Sequence, residues 1–194
     1  MRSLKRKMSY LPVAALILSG SGLVAAPSAS GVAPPVVLLQ HAQESDQASE
    51  LLKEIQSITR DLDRDAATLE SYNLRGLSWQ SHAYQLMLAK QHINAVGSRV
   101  EKLQALRGGS APWQQRAIDT ITPVAVQLAS RTEDAINHLN ESRRELLSPT
   151  YTNHLSAIAT GASQMKQSVD IFLDFARTQE KLDNLQERIA EIES

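Results

Sequence analysis

The chain of 194 residues contains no cysteine. That absence rules out disulfide staples, so any fold must rest on buried apolar surface. It also removes lipid attachment at a cleaved leader and covalent haem, both of which require a thiol. A basic excess is missing too. The chain carries 20 basic and 21 acidic residues, and four of the basic ones, Arg2, Lys5, Arg6 and Lys7, crowd into its start. Beyond them 16 basic residues face 21 acidic ones, a formal charge of −5. A mildly acidic surface argues against nucleic acid, which needs a basic stripe. It equally disfavours docking on anionic lipid. Solubility is sufficient reason for such a charge.

Catalytic and metal-binding signatures are lacking as well. A di-iron bundle needs Glu-x-x-His on two helices, and the nearest spacing here is a single Asp134-x-x-x-His138. Asp61-Leu62-Asp63-Arg64-Asp65 imitates the start of a calcium loop, but Ala66 and Tyr72 stand where glycine and glutamate are required. His138 and Met165 are the only loose candidates for an axial haem pair. No Gly-x-Ser-x-Gly elbow, His-Glu-x-x-His helix or glycine-rich phosphate loop follows the leader. Gly108-Gly109-Ser110 precedes a helix and could hold an anion there, yet the end of one helix and the cap of the next explain it. The expectation is therefore a protein that is not an enzyme, with no cofactor and no metal.

What the chain does contain is an export signal and helix. The basic start is followed by an apolar stretch from Leu11 to Ala26 and by Ala26-Pro27-Ser28-Ala29-Ser30, small residues suited to a signal peptidase. The apolar stretch is interrupted by Pro12, Gly20 and Gly22 and is short for a membrane span of about 20 residues. Residues 1–30 therefore read as a signal peptide, and the protein as exported, periplasmic or extracellular, with no membrane contact after cleavage. Residues 31–40, with Pro34-Pro35, read as an extended lead-in.

From residue 41 onward the pattern is helical, with three punctuations at Arg75-Gly76-Leu77-Ser78, Arg107-Gly108-Gly109-Ser110 and Leu147-Ser148-Pro149-Thr150. Connectors this short make consecutive helices antiparallel neighbours. Helices are expected at about 41–73, 79–107, 111–147 and 150–193. The first carries Leu51, Ile55, Ile58, Leu62, Leu69 and Tyr72 as its apolar stripe. The second has His82, Leu86, Ala89, Ile93, Val96, Val100 and Leu103. In the third, with Ser110 as N-cap, the stripe is Ile118, Ile121, Ala125, Leu128, Thr132, Ala135, Leu139 and Leu146. The fourth carries Tyr151, Leu155, Ile158, Ala162, Met165, Val169, Phe172 and Ala176. Alternating steps of three and four mark the seam of a left-handed bundle. The fold class is all-α: an antiparallel up-down-up-down four-helix bundle with long helices, the last extended, after a signal peptide. Pro123 predicts a kink or break in the third helix.

Two features point towards function. After Gln179 the apolar rhythm continues through Leu182, Leu185, Ile189 and Ile192 but shifts round the helix. Residues 179–194 therefore read as an arm, paired with the start of the first helix or engaged in self-association. The antiparallel arrangement also brings Tyr72, Trp79, His82 and Tyr84 from one hairpin to the same pole as Arg143, Tyr151 and His154 from the other. His82 sits at a seam position, where a buried imidazole must find a partner. The favoured reading is an exported bundle acting through contact with another protein, as an adaptor, scaffold or chaperone-like module. The alternative is a ligand-binding or sensory bundle using the pole around Trp79 and His82.

Overall fold

The computed structural model describes residues 35–193, with side chains from residue 41 onward apart from Leu74. The signal peptide expected at 1–30 lies outside the described residues. The described residues form four helices, α1 (Pro35–Ser71), α2 (Trp79–Leu106), α3 (Pro112–Glu141) and α4 (Pro149–Glu193), with single 3-10 turns at Tyr72–Leu74 and Arg107–Gly109. Among the described residues there is no strand; the fold is all-α. No helix among them is long and apolar enough to cross a membrane.

Local chemistry sets the boundaries. Proline is well suited to the first position of a helix, where its missing N–H would go unpaired anyway. α1 accordingly begins at Pro35, inside the stretch expected to be an extended lead-in. Gly76 takes φ +56° in the turn after α1, a conformation that costs little only for glycine. Ser78 then caps α2, its hydroxyl accepting from the Ser81 amide at 3.4 Å. Ser110 was expected to cap α3 but closes α2 instead, donating to the Leu106 carbonyl at 2.8 Å. The residue preceding α3 is Ala111, and its amide is met by Gln114 Oε1 at 2.8 Å. α3 runs unbroken through Pro123; the exposed ring is tolerated without ending the helix.

A boundary difference of the same size as that at the start of α1 is at the end of α3. It stops at Glu141, not near 147, and the chain crosses to α4 through turns closed by Glu145 N–H to Ser142 O and Ser148 N–H to Glu145 O. Ser148 opens α4, its hydroxyl accepting from the Tyr151 amide at 3.4 Å with Pro149 in the first position. Ser-Pro at a helix start follows from the same preference that places Pro35.

Each helix packs on two neighbours: α1 on α2 and α4, and α3 on α2 and α4. Every seam residue expected on α2 is buried. On α3 the expected set from Ile118 to Leu139 is buried, while Leu146 falls beyond the helix and packs partly against the core. On α4 burial follows the expectation from Tyr151 to Val169 and then moves to Leu173, leaving Phe172 half-buried. α1 differs most. Its buried line is Ala48, Leu52, Ile55, Thr59, Leu62, Ala66 and Leu69, with Leu51 and Ile58 only partly covered.

Polar contacts fix which levels of the helices meet. Arg99 pairs with Glu54 at 2.9 Å and His92 with Asp65 at 3.1 Å, joining α2 to α1. Arg107 forks onto Asp119 at 2.8 and 2.9 Å, joining the end of α2 to α3. Gln56 donates to Asp170 at 2.6 Å, joining α1 to α4. Gly161 of α4 lies against Leu128 of α3, so close that an added methyl would stand 3.0 Å from Leu128 Cδ2. That glycine lets the two backbones approach, as small residues do at tight helix crossings.

Candidate functional site

At one end of the bundle each helix or its terminal turn contributes one ring to a continuous chain. Tyr72, in the turn after α1, meets His82 of α2 edge-on with ring centroids 5.3 Å apart. His82 leans against Tyr151 of α4 at 5.6 Å, and Tyr151 stacks on His138 of α3 at 5.2 Å and 20°. The chain is tied by polar atoms. His82 Nδ1 and the Tyr151 hydroxyl share a hydrogen bond at 3.1 Å. His138 Nε2 and the Ser148 hydroxyl share another at 3.1 Å. Beside the rings, the Arg143 guanidinium lies 4.4 Å from the centre of the Trp79 ring, a cation–π contact.

Burial sets the electrostatics. His82 and Tyr151 are essentially inaccessible. Loss of solvent holds the His82 imidazole below the ordinary histidine range and pushes the Tyr151 phenol up, so both are neutral near pH 7. A neutral imidazole bonded to a neutral phenol is a structural pairing. Tyr151 so placed is a poor base and a poor nucleophile. Next to the rings a groove of about 400 Å³ is lined by Tyr72, Leu77, His82, Arg144 and Ser148 among others. This arrangement can hold a small group near an imidazole edge and a guanidinium, and its hydroxyl–imidazole pair is Ser148 with His138.

Of the residues expected at this pole, the structure brings Tyr72, Trp79, His82, Arg143 and Tyr151 together. Tyr84 stands 59% exposed, and His154, half-buried on the next turn of α4, takes no part in the ring chain. His138 and Ser148 belong to the cluster although the pattern did not assign them. With α3 read as running to 147, His138 lay too far from the helix end; the Ser148-Pro149 helix start was the signal that could have corrected this. Asp65 of α1 and His92 of α2 form a half-buried pair. Among the described residues no group of three or more His, Asp or Glu side chains could hold a metal.

A larger groove, about 920 Å³, lies at the opposite end, bounded by Asp46, Glu50, Leu51, Lys53, Lys102 and Glu180 among others. It is an open furrow without histidine or aromatic side chains, and the ring cluster has the more distinctive chemistry. From that furrow α4 continues to Glu193. Residues 177–193 are exposed throughout, as are His41, Ala42 and Gln43 of α1. The pairing expected between the arm and the start of α1 is thus not made by the described side chains. Near that end α1 offers the polar His41, Gln43, Glu44, Asp46 and Gln47, preceded by the apolar Val36, Val37, Leu38 and Leu39.

No protein-family model, curated protein or solved structure matches the chain.

Proposed function

We propose that this chain is an exported, non-enzymatic up-down-up-down bundle that acts through contact with another protein. The antiparallel topology is supported by the levels at which helices meet. On α1 and α2, Glu54 joins Arg99 while Asp65 joins His92. Arg107 joins Asp119 and Gln104 approaches Thr122 on α2 and α3; Leu128 meets Gly161 and His138 meets Tyr151 on α3 and α4. In each pair one number rises as the other falls. Export rests on the basic, apolar and small-residue order of the first 30 positions. N-terminal sequencing of protein recovered outside the cytoplasm is expected to begin within Ala26–Gly31; a chain that keeps Met1 and stays in the cytoplasm overturns that part.

The observation that carries the contact reading is the exposed apolar face of α4. Phe175, Leu182, Leu185 and Ile189 are 46–55% exposed, and Ile171 and Ile192 are 66% and 85% exposed. Aligned apolar side chains on one face mark an interaction surface. Photo-reactive side chains at Leu182 and Leu185 are expected to cross-link to protein in the native compartment, while one at exposed Gln91 on α2 is not. Equal labelling at all three positions would sink the proposal.

The groove beside His82 supports a second reading, a ligand-binding or sensory bundle. Replacing Trp113 with Phe leaves Trp79 as the only tryptophan and a direct reporter. A Trp79 emission unchanged by small anions and metabolites removes this reading.

A further inference from the structure

The apolar residues of the α4 arm form a heptad seam. Ile171, Phe175, Thr178, Leu182, Leu185, Ile189 and Ile192 follow one another at steps of 4, 3, 4, 3, 4 and 3, which is the repeat of a two-stranded coiled coil. The core-facing line of α4, continued past Val169 and Phe172, would meet Gln179 and Asp183. The exposed seam stands one residue away, about 100° round the helix. It begins at Ile171 and Phe175, alongside the bundle but turned away from it, and runs to the end of α4. All of its apolar members are exposed.

From this we infer that the seam seats a second copy of this chain, the two α4 arms running antiparallel. The inference rests on the reading of the arm as a contact surface and names its occupant. The seam is complementary to itself in that direction. Phe175 meets Ile192, Thr178 meets Ile189 and Leu182 meets Leu185, each pair formed twice across a two-fold axis. The lone polar member, Thr178, therefore faces a large apolar residue. In a parallel, in-register pair it would face its own copy and leave a weak layer.

Charges are compatible with this direction, although a parallel pair would also set Arg188 against Glu193 twice. The flanking positions on one side hold Asp174, Lys181 and Arg188, and those on the other hold Gln179, Gln186 and Glu193. An antiparallel pair sets Asp174 against Arg188 twice and Gln186 against its copy. Only Lys181 faces a like charge, on a long stem that can turn to water. Asp183 and Glu187 lie on the outer face of the arm, away from the seam.

The area is adequate for a weak interface. The five apolar side chains per copy that meet a partner, at about 60–120 Å² each from the usual burial energies, remove roughly 600–1,200 Å² from water. Weak, transient interfaces lie below about 1,200 Å² in total. A dimer that forms and dissociates with concentration is the result.

The test uses the whole secreted chain. Sedimentation over a concentration series reaching the millimolar range is expected to show monomer passing to dimer. Leu182→Glu with Leu185→Glu is expected to weaken association by about 100-fold or more, with helical content and thermal midpoint unchanged. Direction is read separately, which the absence of native cysteine makes simple. Phe175→Cys and Ile192→Cys chains, one carrying a size tag, are mixed and gently oxidised. The antiparallel seam yields the mixed disulfide; predominance of either homodisulfide overturns it. Monomer throughout the series also overturns it, even if photo-labels at Leu182 capture a different protein, and in that outcome the contact reading survives while the self-pairing fails.

Discussion

Single side chains in this bundle do their work by satisfying backbone groups that helix ends leave open. Gln114 is fully buried and makes four bonds. Its Oε1 accepts from the Ala111 amide at 2.8 Å and the Ser45 hydroxyl at 3.0 Å, and its Nε2 donates to the Ser45 carbonyl at 2.7 Å and the Ser49 hydroxyl at 2.9 Å. One residue thus caps α3 and fastens it to α1. Gln114→Ala leaves an open amide and a cavity, and is expected to cost about 2–3 kcal/mol in denaturant unfolding. Gln114→Glu is expected to cost more, because it loses both donors and turns a charge towards the Ser45 carbonyl. Thr132 is the opposite case. It is buried, and its hydroxyl has no partner. Thr132→Val keeps the shape and removes the unsatisfied group, so stability is expected to rise by about 1 kcal/mol. A loss on the same measurement would mean that the hydroxyl is bonded, most simply to water.

At the scale of the element, the seam could be read directly where it is made of large apolar residues and less well where it is made of small or polar ones. α2 repeats without a break, and its whole expected face is buried. On α1 the buried line passes through Ala48, Thr59 and Ala66, while the more apolar Leu51 and Ile58 sit at its edge. Hydrophobicity alone pulled the assignment one position aside, because close helix contact selects small side chains over greasy ones. The end of α3 was misread for another reason: Leu146 and Leu147 continue the period, but the crossing to α4 needs the chain from Ser142 to Ser148. That error hid His138 and Ser148 from the ring cluster, whereas Trp79, His82, Arg143 and Tyr151 were within reach of pattern and hairpin geometry. The arm allows a simple test of how element and body divide. Residues 177–193 are all exposed, so truncation after Arg177 is expected to remove helical signal in proportion to its length. The thermal midpoint measured at dilution should stay within about 2 °C. A large drop would mean that the arm packs on its own bundle in solution.

For the molecule as a whole, the ring chain makes one titratable group a participant in global stability. Rings from α2, α3, α4 and the turn ending α1 touch in sequence, so His82 cannot take up a proton and a hydration shell without parting the helices. Burial holds its imidazole below the unfolded value of 6.5. The unfolded chain therefore binds this proton more tightly, and acid favours unfolding. His82 leaves stability unaffected above the unfolded value; the loss begins as pH falls below about 6.5 and is complete below the lower folded value. The slope is at most about 1.4 kcal/mol per pH unit for one proton. Asp170 acts in a separate window. Burial raises its carboxyl, but the bonds from Gln56 and Lys166 and the nearby charge outweigh that and hold it below 3.8, so its contribution fades only in stronger acid. The experiment is thermal unfolding across this range, followed by far-ultraviolet dichroism and by Trp79 emission in the Trp113→Phe background. Both probes are expected to move together, with a midpoint that is level near neutrality and declines in mild acid. His82→Phe should lower the neutral midpoint, since Tyr151 loses its partner at about 1 kcal/mol, and should flatten the decline. An unchanged acid slope in that variant would show that the coupling runs through another group.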